Sequence, residues 1–190
     1  SDEIKSLLRA EALRPVIARR PLSRAPRVAR MPLSHSQLRL WFVRQMHPQS
    51  TAYNISYAFR WTGRVDVAVL DRVLHELVAR HESLRTSFSE VDGNPWSTIS
   101  NAAPSVLTHI TVDANAGGGV EQALLDRATG VIQQPFDLSA SPLIRAFLVS
   151  AGEEQHVFGV VLDHIIADGI SVAILTQEFA RLYAAEIRGQ

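Results

Sequence analysis

The sequence predicts an α+β domain, and three observations carry that prediction. Leu70, Val73, Leu74, Leu77 and Val78 recur at i, i+3, i+4, i+7 and i+8, one full apolar stripe of a helix. The run His156-Val157-Phe158-Gly159-Val160-Val161-Leu162 is apolar at both alternating positions, so it reads as a strand central in its sheet and covered on both sides. Two further strand-like runs, Leu84–Glu90 and Pro95–Ser100, meet at Asp92-Gly93, a strong hairpin signal.

Composition bounds the function classes. A chain of 190 residues is one domain with a little to spare, and 46% hydrophobic with 20% charged residues is ordinary for a packed protein. Lysine plus arginine equals aspartate plus glutamate at 19 each, so nothing supports a nucleic-acid partner, whose binding rests on phosphate neutralisation. With no cysteine, disulfides, thiolate nucleophiles and Cys-ligated metals are excluded. No apolar run approaches the roughly 18 residues of a membrane span. The opening Ser1-Asp2-Glu3-Ile4-Lys5 is no signal peptide. The chain is therefore expected to be soluble and cytoplasmic, with no membrane partner.

The elements follow in order. Ile4, Leu7, Leu8 and Leu13 suit a short helix that Pro15 ends. Arg14 to Arg30 mixes arginines and prolines without an amphipathic period, which describes an extended basic linker better than a nucleic-acid tail. Ser34 and Gln37 form an S-x-x-Q capping box, and Leu38, Trp41 and Phe42 follow at helical spacing, so 34–46 reads as a helix. Tyr53 to Trp61 is aromatic and β-branched, a strand. Asp66 is placed to cap the striped helix. Val106–Val112 is a further strand. Gly117-Gly118-Gly119 opens a helix bearing Leu124, Leu125, Ala128, Val131 and Ile132; lacking a P-loop context, it reads as a surface loop rather than a phosphate cradle. Pro142 leads into strand Leu143–Ser150, Gly152 turns the chain, and after His156–Leu162 a helix with Val172, Leu175, Phe179, Leu182 and Tyr183 inward closes the fold.

Chemistry concentrates where the buried strand ends, at Asp163-His164-Ile165-Ile166-Ala167-Asp168-Gly169-Ile170-Ser171. Polar groups at such a place must be held by partners, because burying unpaired charge is costly. Gly169 at a helix N-terminus offers a tight turn and exposed N–H groups for developing negative charge. From spacing alone His164 is either a hydrogen-bonded core histidine or a proton-transfer group active near neutral pH. The other histidines show no H-x-x-x-H or H-x-H spacing, so no metal site is expected. No G-x-S-x-G elbow occurs.

Three ordered segments carry a family resemblance. Pro32-Leu33-Ser34-His35-Ser36-Gln37-Leu38-Arg39-Leu40-Trp41-Phe42 with Ala52-Tyr53-Asn54-Ile55 resembles the first motif of condensation domains of non-ribosomal peptide synthetases. Arg80-His81-Glu82-Ser83-Leu84-Arg85-Thr86-Ser87-Phe88 resembles the second, and the segment from Asp163 to Ser171 resembles the HHxxxDG motif. Pro142-Leu143-Ile144-Arg145-Ala146 is similar to the strand before it. The resemblance implies a two-layer α/β sandwich, the chloramphenicol-acetyltransferase-like N-terminal lobe over 31–190, with the C-terminal lobe absent. Residues 1–30 then correspond to the linker from an upstream thiolation (carrier) domain. It further implies amide formation between a donor acyl or peptidyl thioester and an acceptor aminoacyl thioester. No cofactor is bound by the lobe itself; phosphopantetheine arms are delivered by upstream donor and downstream acceptor carrier domains. The C-terminal lobe and the module's adenylation domain are the other implied partners.

Residue by residue, the resemblance makes His164 catalytic and Gly169 an oxyanion-facing backbone donor. It makes Asp168 a structural group paired with an arginine, Arg85 first and Arg80 second. Asp163 departs from the usual first histidine. As an aspartate it accepts backbone N–H bonds and is expected to raise the pKa of His164. Asp163→His, which restores the family residue, is expected to keep activity. Asp163, Asp168 and Ser171 also fit the D-x-x-x-x-D-x-x-S pattern of heterocyclisation domains. A catalytically silent recruiting or gating domain is the remaining alternative.

Overall fold

The computed structural model describes residues 28–113 and 119–189. The expected helix near Ile4–Leu13, most of the basic linker, Gly117 and Gly118 lie outside these residues. The described chain runs β1 (Met31–Pro32), α1 (His35–Met46), β2 (Asn54–Thr62), α2 (Val67–Arg80), a 3₁₀ turn (Glu82–Arg85), β3 (Thr86–Val91) and β4 (Asn94–Ile99). It continues through β5 (Leu107–Thr111), α3 (Val120–Ile132), β6 (Ile144–Ala151), β7 (Gln155–Asp163) and α4 (Gly169–Ile187). The α+β reading holds, and the helix starts are where capping chemistry puts them. Ser34 accepts from the Gln37 N–H at 3.2 Å while Gln37 reaches back to the Ser34 N–H at 3.0 Å, the full capping box. Asp66 accepts from the Val69 N–H at 3.0 Å.

The strands form two sheets, β1-β4-β3 and β2-β7-β6-β5. The β3–β4 hairpin turns on Asp92 and Gly93, with φ of 52° and 74°. Two successive left-handed residues are what a type I′ turn demands. In the larger sheet all pairs are antiparallel except β5 with β6. A parallel pair needs a crossover, and α3 supplies it.

β7 lies between β2 and β6 and is buried along nearly all its length, as its two-sided apolar pattern predicts. On one face Phe158 stacks on Phe179 of α4 at 5.4 Å, and Trp61 meets Tyr183 at 5.2 Å. The neighbouring position Val157 faces the other way, beside Leu124 of α3. The α2–α4 pair thus forms the helical layer of the expected sandwich, and α3 adds cover on the opposite face. Gly159 is required by close approach. Its register partner is Phe147, and a Cβ there would stand 2.3 Å from the Phe147 ring and 2.9 Å from the Tyr57 carbonyl oxygen.

Two details differ from the sequence reading. A 3₁₀ turn replaces the first residues of the expected strand at Leu84, because Arg85 folds back onto the end of α2. In α1, of Leu38, Trp41 and Phe42 only Trp41 is buried; Leu38 and Phe42 are 42% and 59% exposed. The inward face of this helix carries Gln37, Trp41 and Arg44 instead.

Candidate functional site

β7 ends at Asp163 and the chain turns into α4 through residues 164–168. From Val161 to Ala167 every residue is buried except His164, which is exposed. A satisfied core histidine is therefore not what this position holds. The backbone fixes the turn: the His164 N–H donates to the Tyr53 carbonyl at 2.9 Å, and the Ile166 N–H donates to the Asp163 carbonyl at 3.1 Å. His164 stands at an open cleft of about 490 Å³ lined also by His35, Ser36, Arg39, Leu40 and Tyr53.

Asp163, the last residue of β7, is turned inward instead. It is 2% exposed, and its Oδ1 accepts the Ile165 N–H at 3.0 Å, which meets the expectation that it serves the loop backbone. Its Oδ2 takes a partner that the sequence reading did not foresee, the Arg44 Nη2 of α1 at 2.5 Å. Arg44, 7% exposed, also donates to the Ser50 carbonyl. A second point of contact lies two turns earlier in α1, where Gln37 Nε2 donates to the Ile165 carbonyl at 3.4 Å. The signal for Arg44 was present in sequence: seven residues after Gln37, a cation falls on the same helix face as Trp41.

The expected partnership of Asp168 with Arg85 or Arg80 is corrected. Asp168 is the N-cap of α4 and accepts from the Ser171 N–H at 2.8 Å and the Ser171 hydroxyl at 2.7 Å. Those two bonds hold its carboxyl below the usual range. Arg85 donates to the Val78 and Ala79 carbonyls at 3.0 Å each and to the Ser100 carbonyl. A cation there satisfies the orphan carbonyls ending α2, so its guanidinium is already committed. Arg80 pairs with Glu76 at 2.6 Å and Glu178 at 3.4 Å. His81 reaches the same Glu178 at 2.8 Å, and this bond leads the causes that lower the Glu178 pKa. The second motif thus docks α2 on α4 instead of reaching the His164 turn. Gly169 is the first residue of α4, so its N–H has no acceptor within the helix. Its backbone does not need a glycine, and a Cβ there would meet nothing within 4 Å. The tight-turn expectation gives way to an open approach above the helix end.

Two further side chains brace the site. Arg145 donates to the Val131, Gln134 and Pro135 carbonyls at 3.3, 3.0 and 2.7 Å and lies 3.7 Å over the Phe136 ring. Burial lowers its pKa while the negative charge of Asp163 opposes that shift. Asn54, register partner of Asp163, donates to the Ile132 and Gln134 carbonyls at 3.1 and 3.0 Å. Both side chains grip the segment after α3.

The lobe presents an exposed histidine at the end of a buried central strand, next to a helix N-terminus, where an imidazole can exchange a proton and unpaired N–H groups can face negative charge. The Condensation domain family model matches residues 28–190, and the chain belongs to that family. A linear gramicidin synthase of Brevibacillus parabrevis is 36% identical over 165 residues, 87% of this chain and 2% of that protein. The dimodular nonribosomal peptide synthase of Bacillus subtilis (strain 168) is 38% identical over 172 residues, 89% of this chain and 7% of that one. The chain therefore spans only a few per cent of these relatives' length. Among solved structures, the complex of the X-domain and OxyB from teicoplanin biosynthesis matches with TM-score 0.78 and 32% identity, over 92% of this chain and 36% of that one. The first condensation domain of the calcium-dependent antibiotic synthetase matches with TM-score 0.72 and 25% identity, over 85% and 40%. The fold is the chloramphenicol-acetyltransferase-like lobe of condensation domains.

Proposed function

We propose that the chain is the N-terminal lobe of a non-ribosomal peptide synthetase condensation domain and that His164 serves amide formation. The observation that carries this is the isolation of His164: one exposed imidazole in a buried run, facing an open cleft. Phosphopantetheine arms on two carrier domains bring a donor thioester and an acceptor aminoacyl thioester to this cleft. The acceptor nitrogen attacks the donor carbonyl carbon, the C–S bond breaks, and the proton lost by nitrogen passes through His164 Nε2 or Nδ1 to the leaving thiolate. Holding both thioesters in register supplies much of the barrier reduction. The Gly169 N–H is the candidate donor to the tetrahedral oxyanion. Asp163 and Asp168 order the turn and the helix end. The C-terminal lobe completes the cleft, and the module's adenylation domain loads the acceptor carrier.

Heterocyclisation draws less support, because both Asp163 oxygens are engaged inside and Asp168 is held by Ser171. The silent recruiting reading has one specific observation in its favour, the 32% identity to a chain solved in the X-domain–OxyB complex. The three separate by product mass. A complete two-lobed domain with two loaded carriers is expected to yield a linear dipeptidyl thioester. A product lighter by one water means heterocyclisation, and no product favours recruitment.

A further inference from the structure

The environment of Asp163 ties the third motif to α1. The Arg44 guanidinium of α1 meets its carboxylate at 2.5 Å, while Arg145 of β6, whose donors go to the Val131, Gln134 and Pro135 carbonyls, feels the Asp163 charge without pairing with it. Arg44 and Asp163 side chains are 7% and 3% exposed, so each charge is tolerable only because of the other. The same carboxylate fixes the Ile165 N–H, one residue past His164. Arg44 is thus linked through Asp163 to the backbone beside His164 without touching the histidine.

We propose that Arg44 is the positioning residue for His164 and that residues 44 and 163 are a mutually dependent charge pair. A histidine at 163 is then no restoration: it removes the anion and leaves a buried guanidinium facing an imidazole. The inference rests on the reading of His164 as the proton-accepting group. Its test uses the complete domain with loaded carriers, measuring kcat, KM for the acceptor thioester, thermal midpoint and the His164 ring resonances by NMR. Asp163→His alone is expected to lower kcat by about tenfold or more with KM nearly unchanged. Adding Arg44→Glu, which gives the new histidine an anionic partner, is expected to recover most of that loss, a non-additive double-mutant cycle. Should Asp163→His fail to fold, Arg44 alone decides: Arg44→Lys is expected to hold kcat within about threefold of the parent, and the neutral Arg44→Met to lose about tenfold. Parental kcat in the Asp163→His or Arg44→Met variant, strictly additive losses, or a lowered midpoint with kcat per folded molecule intact would each overturn the proposal. If the parental domain makes no product, the functional reading is what fails. The pair is then judged by the His164 resonances: displaced in Asp163→His and returned by Arg44→Glu supports it, and unmoved resonances overturn it.

Discussion

At the scale of single residues, the two neighbours Asp163 and His164 divide the work by facing opposite ways. His164→Ala removes an exposed side chain, so it is expected to leave the thermal midpoint nearly unchanged. If the imidazole moves the proton, the rate of dipeptide formation falls by about 10²–10⁴-fold, the usual worth of a positioned acid–base group. Asp163→Ala is expected to do the reverse first, destabilising the fold by about 3–5 kcal/mol because Arg44 is left buried without an anion. Denaturant titration beside product mass spectrometry reads both. Asp168 makes a different prediction. Asparagine ranks with aspartate at N-caps, so Asp168→Asn is expected to keep the midpoint at neutral pH, and Asp168→Ala to lower it. Its carboxyl, like that of Glu178, sits below its ordinary value in the folded chain. Such a group stabilises the fold fully above its unfolded pKa of about 4 and loses that contribution as pH falls further. The acid-side decline should therefore be shallower in Asp168→Asn, in a series of midpoints from pH 6 to 3.

At the scale of elements, legibility followed periodicity and capping. The α2 stripe, the α1 capping box, the Asp92-Gly93 turn and the two-sided β7 were all readable because each is set by neighbours in sequence. What was not readable is what a side chain meets across the fold. Arg85 was expected at the His164 turn, yet the nearest unsatisfied acceptors are the carbonyls ending its own preceding helix. His164 was visible as a candidate, whereas its isolation, and Arg44 behind it, required the packing of α1. Gly159 is another case: the sequence shows a glycine in a strand but not the ring of Phe147 lying over it. Phe147 is fully buried, and the Tyr57 carbonyl closes the other side, so neither neighbour yields cheaply. Gly159→Ala is expected to cost about 1–3 kcal/mol as an overpacked core, seen as a lower urea midpoint with an unchanged m-value. A parental midpoint would show that β7 has room that the geometry denies.

At the scale of the whole molecule, the conspicuous feature is the apolar surface left uncovered. β2 is an edge strand of the larger sheet, and its middle residues from Tyr57 to Arg60 are exposed, Tyr57 and Phe59 by 52% and 50%. Beside it an apolar groove runs between β2 and α4, lined by Tyr57, Phe59, Val160, Leu175 and Phe179. Leu38, Phe42 and Met46 form a second exposed stripe along α1, and Ile170 and Ile174 stand out from α4. An edge strand with unpaired backbone groups and aromatic side chains is a template for association. The described residues are not short of a core, because 29 hydrophobic side chains are buried among them. The 190-residue chain is therefore expected to fold and to self-associate reversibly, its weight-average mass rising with concentration in sedimentation equilibrium. Tyr57→Lys puts a charge on the strand edge without entering the core, so it should shift that equilibrium towards monomer while leaving the thermal midpoint in place. The solved chains that match this one extend well beyond it, since it covers only 36% and 40% of the two compared above. A chain extended to the length of those solved chains is expected to bury the same face, and the concentration dependence should then vanish. A monomer at every concentration in the 190-residue chain would mean that the face is already satisfied, and Tyr57→Lys would then change nothing.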